Sequence, residues 1–289
     1  MDGDRAKRAV GGSRAQSLSN PVDDFPMVKK IRVTNMNRII FLSVLISAHT
    51  LLLTGCSKDK GPAQKKELVI LCGSSFVPPV EKICSEFTAL TGITTVTTSG
   101  GSEDLLPLVK VGQQGDIFIT HDPYLDYTRD ANALADDVQV GFVAPVLAVQ
   151  KGNPKGIKSI EDLARPGLKV ALTDPQYSTC GEMVFALLEK KGIKDAVMKN
   201  VENRLTKGHS NIGTFLKTQA IDAGIMWNGV AHTFKDSLDI VKTPYEYDEE
   251  TRVYIMGLSY SKQPDLLKQF IEFARKRGPE VFAEFGYVK

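Results

Sequence analysis

Short apolar runs alternate with amphipathic segments from residue 67 onward. Residues 67–72 (ELVILC) form an apolar run that ends at a Gly/Ser turn, which predicts a buried strand. Residues 78–91 carry apolar side chains at helical spacing and are followed by Gly92, which predicts a helix and its end. The alternation continues with predicted strands at 93–98 and 116–120 and a predicted helix at 103–112. Such alternation is typical of a parallel α/β sheet.

A second block of the same kind follows an apolar stretch at residues 143–150. Two α/β blocks predict a fold of two lobes. In α/β folds the ligand binds beside the carboxyl ends of the strands and the amino ends of the helices, so we expect the cleft between the lobes to hold the site. The predicted strands of this block are 168–172, 223–226 and 252–259, and its predicted helices are 159–163, 181–191 and 263–277.

The N-terminal segment has the pattern of a secretory signal. Basic residues precede an apolar run at residues 39–53, which leads into LTGC at 53–56. The run is shorter than the roughly 20 residues that span a bilayer, and a short membrane anchor is the alternative. The LTGC sequence resembles the lipobox of bacterial lipoproteins, which implies that Cys56 is lipidated. We therefore expect residues 1–56 to be a leader and signal peptide and residues 57–66 to be a polar tether.

Composition and charge narrow the classes of function. The 289 residues are 42% hydrophobic and 24% charged, which is ordinary for a globular protein and excludes a disordered chain. A net charge of +2 without a basic cluster argues against nucleic acid as a partner. Besides Cys56 there are three cysteines, Cys72, Cys84 and Cys180, which is an odd number for an oxidising compartment. A Cys72–Cys84 disulfide and a buried Cys84 thiol on a helix both stay open.

Seven short segments in a fixed order carry a family resemblance. Together they resemble the periplasmic molybdate-binding protein family from about residue 67 to the C-terminus. The resemblance implies an α/β, two-lobed type II periplasmic-binding-protein fold, with hinge-connected lobes that close over the ligand. Lobe one would hold residues 67–141 plus 253–289, and lobe two residues 142–252. The segments are LVILCGSSF at 68–76, TSGGS at 98–102, GDIFITHD at 115–122, VQKGNP at 149–154, SIEDL at 159–163, VALTDP at 170–175 and AGIMW at 223–227.

The resemblance also implies a set of ligand-binding residues. Ser75 and Ser102 match the two ligand serines, while Cys180 and Ile212 match positions that donate backbone N–H groups. Trp227 stands where many members have a tyrosine, and its indole N–H can donate but cannot accept. Cys180 replaces an alanine. The full candidate set is Ser74, Ser75, Gly101, Ser102, Thr179, Cys180, Ile212 and Trp227.

Hydroxyl and glycine residues at strand-to-helix junctions suit an oxyanion. Serine hydroxyls and the backbone N–H groups of helix N-termini donate hydrogen bonds, and the helix dipole favours negative charge. Three such junctions, at 74–75, 100–102 and 179–181, can converge on one anion. A pocket of donors without a carboxylate favours molybdate, tungstate or sulfate over phosphate, which keeps a proton to donate. Each feature alone has a plainer interpretation, since Ser caps helices, Gly-Gly forms turns and Trp fills cores.

Two histidines near these segments receive different interpretations. His121 is expected to be a surface or loop histidine, whereas His209 lies near the presumed pocket loop and is a minor candidate for contacting the ligand. His209 is also the only nearby base for an alternative in which Cys180, at a helix N-terminus, is an enzyme nucleophile. No recognised catalytic cysteine motif surrounds either residue, so we expect a protein that is not an enzyme.

The sequence thus predicts a lipid-anchored solute-binding protein of an ABC transporter, in the cell envelope and facing the periplasm or exterior. The expected ligand is a small tetrahedral oxyanion, molybdate or tungstate. The expected partners are a transporter permease and the membrane, through lipid on Cys56. We expect a monomer without cofactor, catalytic residue, resident metal or bound nucleic acid. The alternatives are a site for sulfate, arsenite or a soft metal ion through Cys180, or a sensor that presents its ligand to a membrane receptor.

Overall fold

The computed structural model describes residues 67–112, 114–242 and 251–288. The predicted signal, the lipidation site at Cys56 and the tether at 57–66 lie outside these residues. Within the described part, no helix combines the length and the apolar character that crossing a membrane requires.

Ten strands and eight α-helices make up the described part of the chain. The strands are β1 (Glu67–Gly73), β2 (Thr94–Gly100), β3 (Ile117–His121), β4 (Leu134–Val143), β5 (Pro145–Gln150), β6 (Val170–Thr173), β7 (Leu205–Thr206), β8 (Ala223–Trp227), β9 (Leu238–Val241) and β10 (Thr251–Leu258). The helices are α1 (Val77–Thr91), α2 (Ser102–Val111), α3 (Tyr124–Asp130), α4 (Thr179–Lys190), α5 (Lys194–Val201), α6 (His209–Lys217), α7 (Asn228–Thr233) and α8 (Pro264–Glu284). Short 3-10 turns lie at Ser74–Phe76 and Glu161–Ala164.

The strands form two five-stranded sheets of mixed direction. The first sheet has the order β2-β1-β3-β10-β4, with β1 parallel to its neighbours β2 and β3, and β10 antiparallel to β3 and β4. The second sheet has the order β7-β6-β8-β5-β9, with β6 parallel to β7 and β8, and β5 antiparallel to β8 and β9. The chain passes from the first sheet to the second between β4 and β5 and returns with β10. The predicted α/β class is confirmed.

Apolar runs place β1 and β3 in the interior of the first sheet. All five residues of β3 are buried, and β1 pairs with it in parallel. Successive residues of a strand point to opposite faces, so β1 packs against helices on both sides. On one face, Val80, Ile83 and Phe87 of α1 share a core with the β1 residue Ile70. On the other face, the β1 residue Leu71 packs with apolar residues of α2.

One strand of the first sheet, β4, is not predicted from the sequence. Half of residues 134–139 (LADDVQ) are polar and interrupt the apolar pattern, so no strand is predicted at β4. β4 lies at the edge of the sheet, where polar side chains reach solvent at little cost. The apolar stretch at 143–150 is divided, because Val143 ends β4 and β5 begins at Pro145 in the other sheet. The short elements β7, β9, α3, α5, α6 and α7 are also not predicted. The predicted limits of the lobes, at 141/142 and 252/253, stay a prediction.

The three cysteines of the described residues are all free and buried. Cys72 lies in β1 and Cys84 lies on α1. Burial raises the pKa of both thiols, so they are protonated at neutral pH. The structure therefore holds no Cys72–Cys84 disulfide, and Cys84 is the buried helix thiol of the alternative interpretation.

Truncation of Phe87 tests the contact between α1 and α8, in which the rings of Phe87 and Phe270 lie 5.0 Å apart. We expect Phe87→Ala to lower the free energy of unfolding by about 3–5 kcal/mol, because the fully buried ring leaves a cavity. The matched control is Leu90→Ala on the same helix. Its side chain is 73% exposed, so its loss should stay below about 0.5 kcal/mol. Urea unfolding measures both variants, and equal losses would contradict the packing.

Candidate functional site

A small cavity opens between the two sheets, where β1, β2 and β3 end on one side and β8 ends on the other. Its empty volume is about 360 Å³, a figure that includes the opening to solvent. Most wall residues follow a strand or begin a helix, as is typical of ligand sites in α/β folds. The wall consists of Gly73, Ser74, Ser75, Phe76, Gly100, Gly101, Ser102, Glu103, His121, Tyr177, Ser178, Thr179, Lys207, His209 and Trp227.

The turn after β1 presents Ser74 and Ser75 to the cavity. These residues form a 3-10 turn that leads into α1, and the buried ring of Phe76 anchors it. The Tyr287 hydroxyl donates to the Ser75 carbonyl oxygen, which holds the turn from the C-terminal end of the chain. The Phe76 ring also contacts the rings of Tyr287, at 5.4 Å, and His121, at 5.9 Å. The serine turn therefore rests on a packed aromatic support.

Ser102 begins α2 directly after the Gly100-Gly101 turn and is only 7% exposed. Its hydroxyl oxygen lies 2.5 Å from the hydroxyl oxygen of Thr120, near the end of β3. A Cβ atom at Gly73 would approach Ser102 Oγ to 3.1 Å, so glycine leaves room for this hydroxyl at the end of β1. When Thr120 donates within the pair, the Ser102 proton is free for a ligand.

Glu103 places a carboxyl group in the wall, and the expectation of a pocket without a carboxylate is therefore wrong. The side chain folds back over Gly101, where a Cβ atom would lie 2.0 Å from Glu103 Oε1. That oxygen is buried and has no hydrogen-bond partner among the described residues. Burial raises the pKa of this carboxyl, and the neighbouring Asp104 raises it further.

On the side of the second sheet, three residues form a chain of hydrogen bonds that orients a hydroxyl. The Trp227 backbone N–H donates to His209 Nδ1 at 3.4 Å, and His209 Nε2 lies 3.4 Å from Ser178 Oγ. Because Nδ1 accepts, the neutral ring carries its proton on Nε2 and donates it to Ser178. Ser178 is also the N-cap of α4 and accepts from the Gly181 N–H at 3.4 Å. With both acceptor positions used, the Ser178 proton is left to face the cavity.

His209 stays uncharged at neutral pH. Burial lowers its pKa to about 3, with a further contribution from the nearby His121 ring. The ring lies 5.5 Å from that of Trp227 at a tilt of 32°. His209 can therefore hold Ser178 in place without adding a charge to the cavity.

His121 is buried, and the expectation of a surface or loop histidine is wrong. It ends the fully buried strand β3, and its Nδ1–H donates to the Asp122 carbonyl oxygen at 2.6 Å. Its ring lies 5.4 Å from the ring of Trp227, which belongs to the other sheet. Burial lowers the pKa of His121 as well. The two sheets thus meet at the floor of the cavity through two aromatic rings.

The structure brings six of the eight predicted site residues together in the cavity wall. These are Ser74, Ser75, Gly101, Ser102, Thr179 and Trp227. The other two, Cys180 and Ile212, have fully buried side chains and are not part of the wall. Ile212 packs on β8, where a Cβ atom at Gly224 would lie 2.4 Å from Ile212 Cγ2. The role of all eight residues in holding a ligand stays a prediction.

The Cys180 thiol is fully buried at the start of α4, and burial strongly raises its pKa. A nucleophile or a soft-metal ligand needs the thiolate, which this environment disfavours. The alternatives that gave Cys180 chemistry therefore find no support in its surroundings. Among the described ranges, no three His, Cys, Asp or Glu side chains are grouped so as to hold a metal ion.

Four further wall residues, Glu103, Tyr177, Ser178 and Lys207, were not singled out from the sequence. Ser178 carried a usable signal, since a serine directly before a helix is a preferred N-cap. Nothing in the sequence marked Glu103 as a site residue, because acidic residues are common in the first turn of any helix. Tyr177 and Lys207 lie outside the resembling segments, and only the tertiary fold brings them to the wall.

An ion pair crosses the mouth of the cavity. Lys207 Nζ lies 2.7 Å from Asp104 Oδ2, and it also lies 4.9 Å from the centre of the Tyr177 ring. Asp104 belongs to α2 beside the first sheet, while Lys207 precedes α6 beside the second sheet. Both side chains are about half exposed, so the pair adds little stability. The ion pair instead connects the two sides of the cavity mouth.

Comparison with known proteins gives a consistent result. The family model for the bacterial extracellular solute-binding protein matches residues 68–288. The chain is 24% identical over 251 residues to the "Putative binding protein" of Haemophilus influenzae, covering 84% of this chain and 98% of that protein. It is 25% identical over 245 residues to the molybdate-binding protein ModA of Mycobacterium bovis, covering 81% and 89%. The resemblance to molybdate-binding proteins that the motifs indicated is confirmed. These relatives are solute-binding proteins and not enzymes.

Solved structures share the fold at low identity. The "substrate binding domain of putative molybdenum ABC transporter from Clostridium difficile" matches with a TM-score of 0.59 and 20% identity, covering 76% of this chain and 97% of that one. A periplasmic thiamin binding protein matches with a TM-score of 0.62 and 16% identity, covering 78% and 83%. The predicted two-lobed periplasmic-binding-protein fold is confirmed. The two proteins are named for different solutes, so the fold alone leaves the ligand open.

Acidification should destabilise the protein through His209. Its folded pKa of about 3 lies below the unfolded value of about 6.5, so the unfolded state takes up the proton first. This stabilising contribution is present above about pH 6.5 and is lost as the pH falls, by about 2 kcal/mol at pH 5. Urea unfolding at pH 7 and at pH 5 measures the loss.

His209→Gln should remove most of that loss, because an amide still donates to Ser178 but takes up no proton. His232→Gln on α7 is the matched control. Its ring is only partly buried, so this variant should keep most of the loss. The same pH dependence in the wild type and in His209→Gln would contradict a buried neutral ring.

Proposed function

Because the chain belongs to the family of bacterial extracellular solute-binding proteins, we propose that it captures a small tetrahedral oxyanion, molybdate or tungstate, for an ABC-transporter permease. The observation that carries the proposal is the convergence of hydroxyl groups and helix N-termini on one small cavity. Ser75, Ser102 and Ser178 supply the hydroxyls from three strand-to-helix junctions. Four oxygens of a tetrahedral anion accept hydrogen bonds in diverging directions, which suits donors that arrive from two sheets.

Helix dipoles supply positive potential in a wall whose described residues include no buried cation. The ten-residue α2 and the twelve-residue α4 both begin at the wall, so the positive ends of their dipoles lie beside the ligand. The neutral His209 orients the Ser178 proton without adding charge. Lys207 at the mouth is paired with Asp104, so it adds no net charge there. An anion in the cavity is therefore held by hydrogen-bond donors and helix dipoles.

The size and the polarity of the cavity favour an inorganic anion among the solutes of the relatives. One relative is a molybdate-binding protein and one structural neighbour is a thiamin-binding protein. A small cavity with serine and threonine in its wall suits a compact anion better than thiamin, a bulky organic cation.

The remaining parts of the proposal concern how the protein works in the cell. Residues 67–141 plus 253–289 form one lobe and residues 142–252 the other, and they close on the anion about the two connections between the sheets. Lipid on Cys56 tethers the monomer to the membrane, where the closed form meets the permease. The protein performs no chemistry, and the transporter's ATPase supplies the energy. A sensor role, in which a receptor replaces the permease, places the same demands on the pocket.

A thermal-shift titration of residues 57–289 tests the ligand. A ligand that binds only the folded state stabilises it by about 2.7 kcal/mol at a hundredfold excess over its Kd. Molybdate or tungstate should give a large shift, and arsenite none, because the Cys180 thiol is inaccessible. The absence of a shift with molybdate, tungstate and sulfate would contradict the proposal.

Removal of two hydroxyls tests the site. Ser75→Ala combined with Ser102→Ala should weaken molybdate binding by at least about a hundredfold, since hydrogen bonds to charged groups contribute about 1.5–3 kcal/mol each. Ser85→Ala, on the exposed face of α1, is the matched control and should bind as the wild type does. Isothermal titration calorimetry measures all three proteins, and unchanged affinity in the double variant would refute the assignment of the serines.

A further inference from the structure

The carboxyl group of Glu103 is the one wall feature that the proposed function leaves unexplained. A site built to hold an anion would gain nothing from an ionised carboxylate in its wall, because two negative groups repel at short range. Yet Glu103 belongs to the first turn of α2, directly beside the ligand serine Ser102. A buried polar atom without a partner is rare in native proteins and calls for an explanation, such as strain, a functional role, or a bound water or ion.

The backbone holds this carboxyl group in the wall. Glu103 Oε1 occupies the space that a side chain at residue 101 would take, since a Cβ atom at Gly101 would lie 2.0 Å from it. Gly101 therefore serves a second purpose besides opening the turn, because it gives the glutamate side chain a place to fold back. Glu103 Oε1 is buried and has no hydrogen-bond partner among the described residues, and Glu103 belongs to the cavity wall, so a molecule bound in the cavity can supply the hydrogen bond.

The charged groups around Glu103 lie on α2, on α4 and just before α6. Asp104 on α2 and Glu182 on α4 are negative and raise the pKa of Glu103, as burial does, while Lys207 before α6 and the Glu103 backbone N–H lower it. The Glu103 carboxyl group also acts on Tyr124 of α3. Burial raises the pKa of Tyr124 to about 12, and the negative charge of Glu103 contributes to this shift. The remaining titratable residues of the wall are His121, Tyr177 and His209, and both histidines are neutral at neutral pH.

We propose that Glu103 contacts the bound oxyanion and that one proton lies between its carboxyl group and an oxygen of the anion. This inference rests on the proposed function, and it specifies the protonation state of the complex between the protein and the anion. A fully deprotonated dianion such as molybdate cannot donate, so the proton is taken from solvent and resides on Glu103. In the binding step, the Glu103 carboxylate takes up one H⁺ as the dianion binds. The resulting carboxylic acid donates a hydrogen bond to the dianion. A monoprotonated anion, such as hydrogen phosphate, brings the proton itself and donates it to the carboxylate.

Two consequences for specificity follow. Selection against protonated oxyanions, which a pocket of donors alone would impose, is relaxed because Glu103 can accept. The affinity for a dianion depends on pH, because above the pKa of Glu103 in the free protein each anion must bind together with one proton. Its affinity therefore falls by up to about tenfold for each unit of rising pH.

Calorimetric titration with molybdate in buffers of different ionisation enthalpy tests the inference, because the dependence of the heat on the buffer counts the protons taken up. The wild type should take up about one proton per anion at about pH 8, and its affinity should fall between about pH 7 and pH 8.5. Glu103→Gln should take up none and bind with an affinity that changes less than about twofold over this range, because its amide always carries a donor proton. Glu182→Gln removes a facing carboxylate that lies outside the wall, so this matched control should retain the uptake.

Two results would overturn the inference. Molybdate binding by the wild type without proton uptake would contradict it and leave the proposed function standing. The same pH dependence in Glu103→Gln as in the wild type would assign the proton to another group. If no tetrahedral anion binds the wild type at all, the proposed function and this inference both fail. The proton count in the wild type needs no variant, so a folding defect in Glu103→Gln would not remove the test.

Discussion

A small anion held away from water must find hydrogen-bond donors on every side, and the proposed function makes this the central requirement on the cavity. One sheet cannot surround an anion, because its strands end along a single edge. Two sheets whose strand ends face one cavity can do so, and each strand end leads into a helix that supplies backbone N–H groups and a dipole. The chain crosses between the sheets near Ala144, so the two halves of the wall can be packed independently.

The aromatic and histidine side chains below the cavity make this arrangement rigid without adding charge. Phe76, His121 and Tyr287 support the serine turn after β1, and Trp227 with His209 supports the start of α4. Burial keeps both histidines neutral, so each acts as a fixed donor and acceptor and not as a counter-ion. The direction in which the Ser178 proton points is thereby set by a hydrogen bond that begins at the Trp227 backbone.

The sequence predicted the features that local patterns record. Apolar runs mark β1 and β3, helical spacing marks α1, and the serine and glycine junctions after β1 and β2 line the cavity as expected. The edge strand β4 was missed because the polar residues Asp136, Asp137 and Gln139 interrupt its apolar pattern. The prediction of an exposed His121 was wrong because the sequence does not show that Phe76 and Trp227 pack around this strand end.

The carboxyl group of Glu103 could not be predicted from its neighbours in the sequence. Its importance depends on one oxygen atom that folds over a glycine and has no hydrogen-bond partner in the described part of the chain, which is a property of the tertiary structure. Cys180 illustrates the reverse. An unpaired cysteine at a helix start suggested chemistry, yet the helix turns its thiol fully into the core. Residue type indicated the kind of chemistry at each position, while burial decided whether that chemistry is available.

The central claim is that one oxyanion binds in the cavity between the serine turn after β1 and the start of α4. Crystals grown with tungstate test it most directly, because tungsten scatters anomalously and its position can be located without reference to the protein. We expect one strong anomalous peak within hydrogen-bond distance of the hydroxyls of Ser75, Ser102 and Ser178. A peak elsewhere, or no peak in crystals grown at a tungstate concentration that saturates binding in solution, would contradict it.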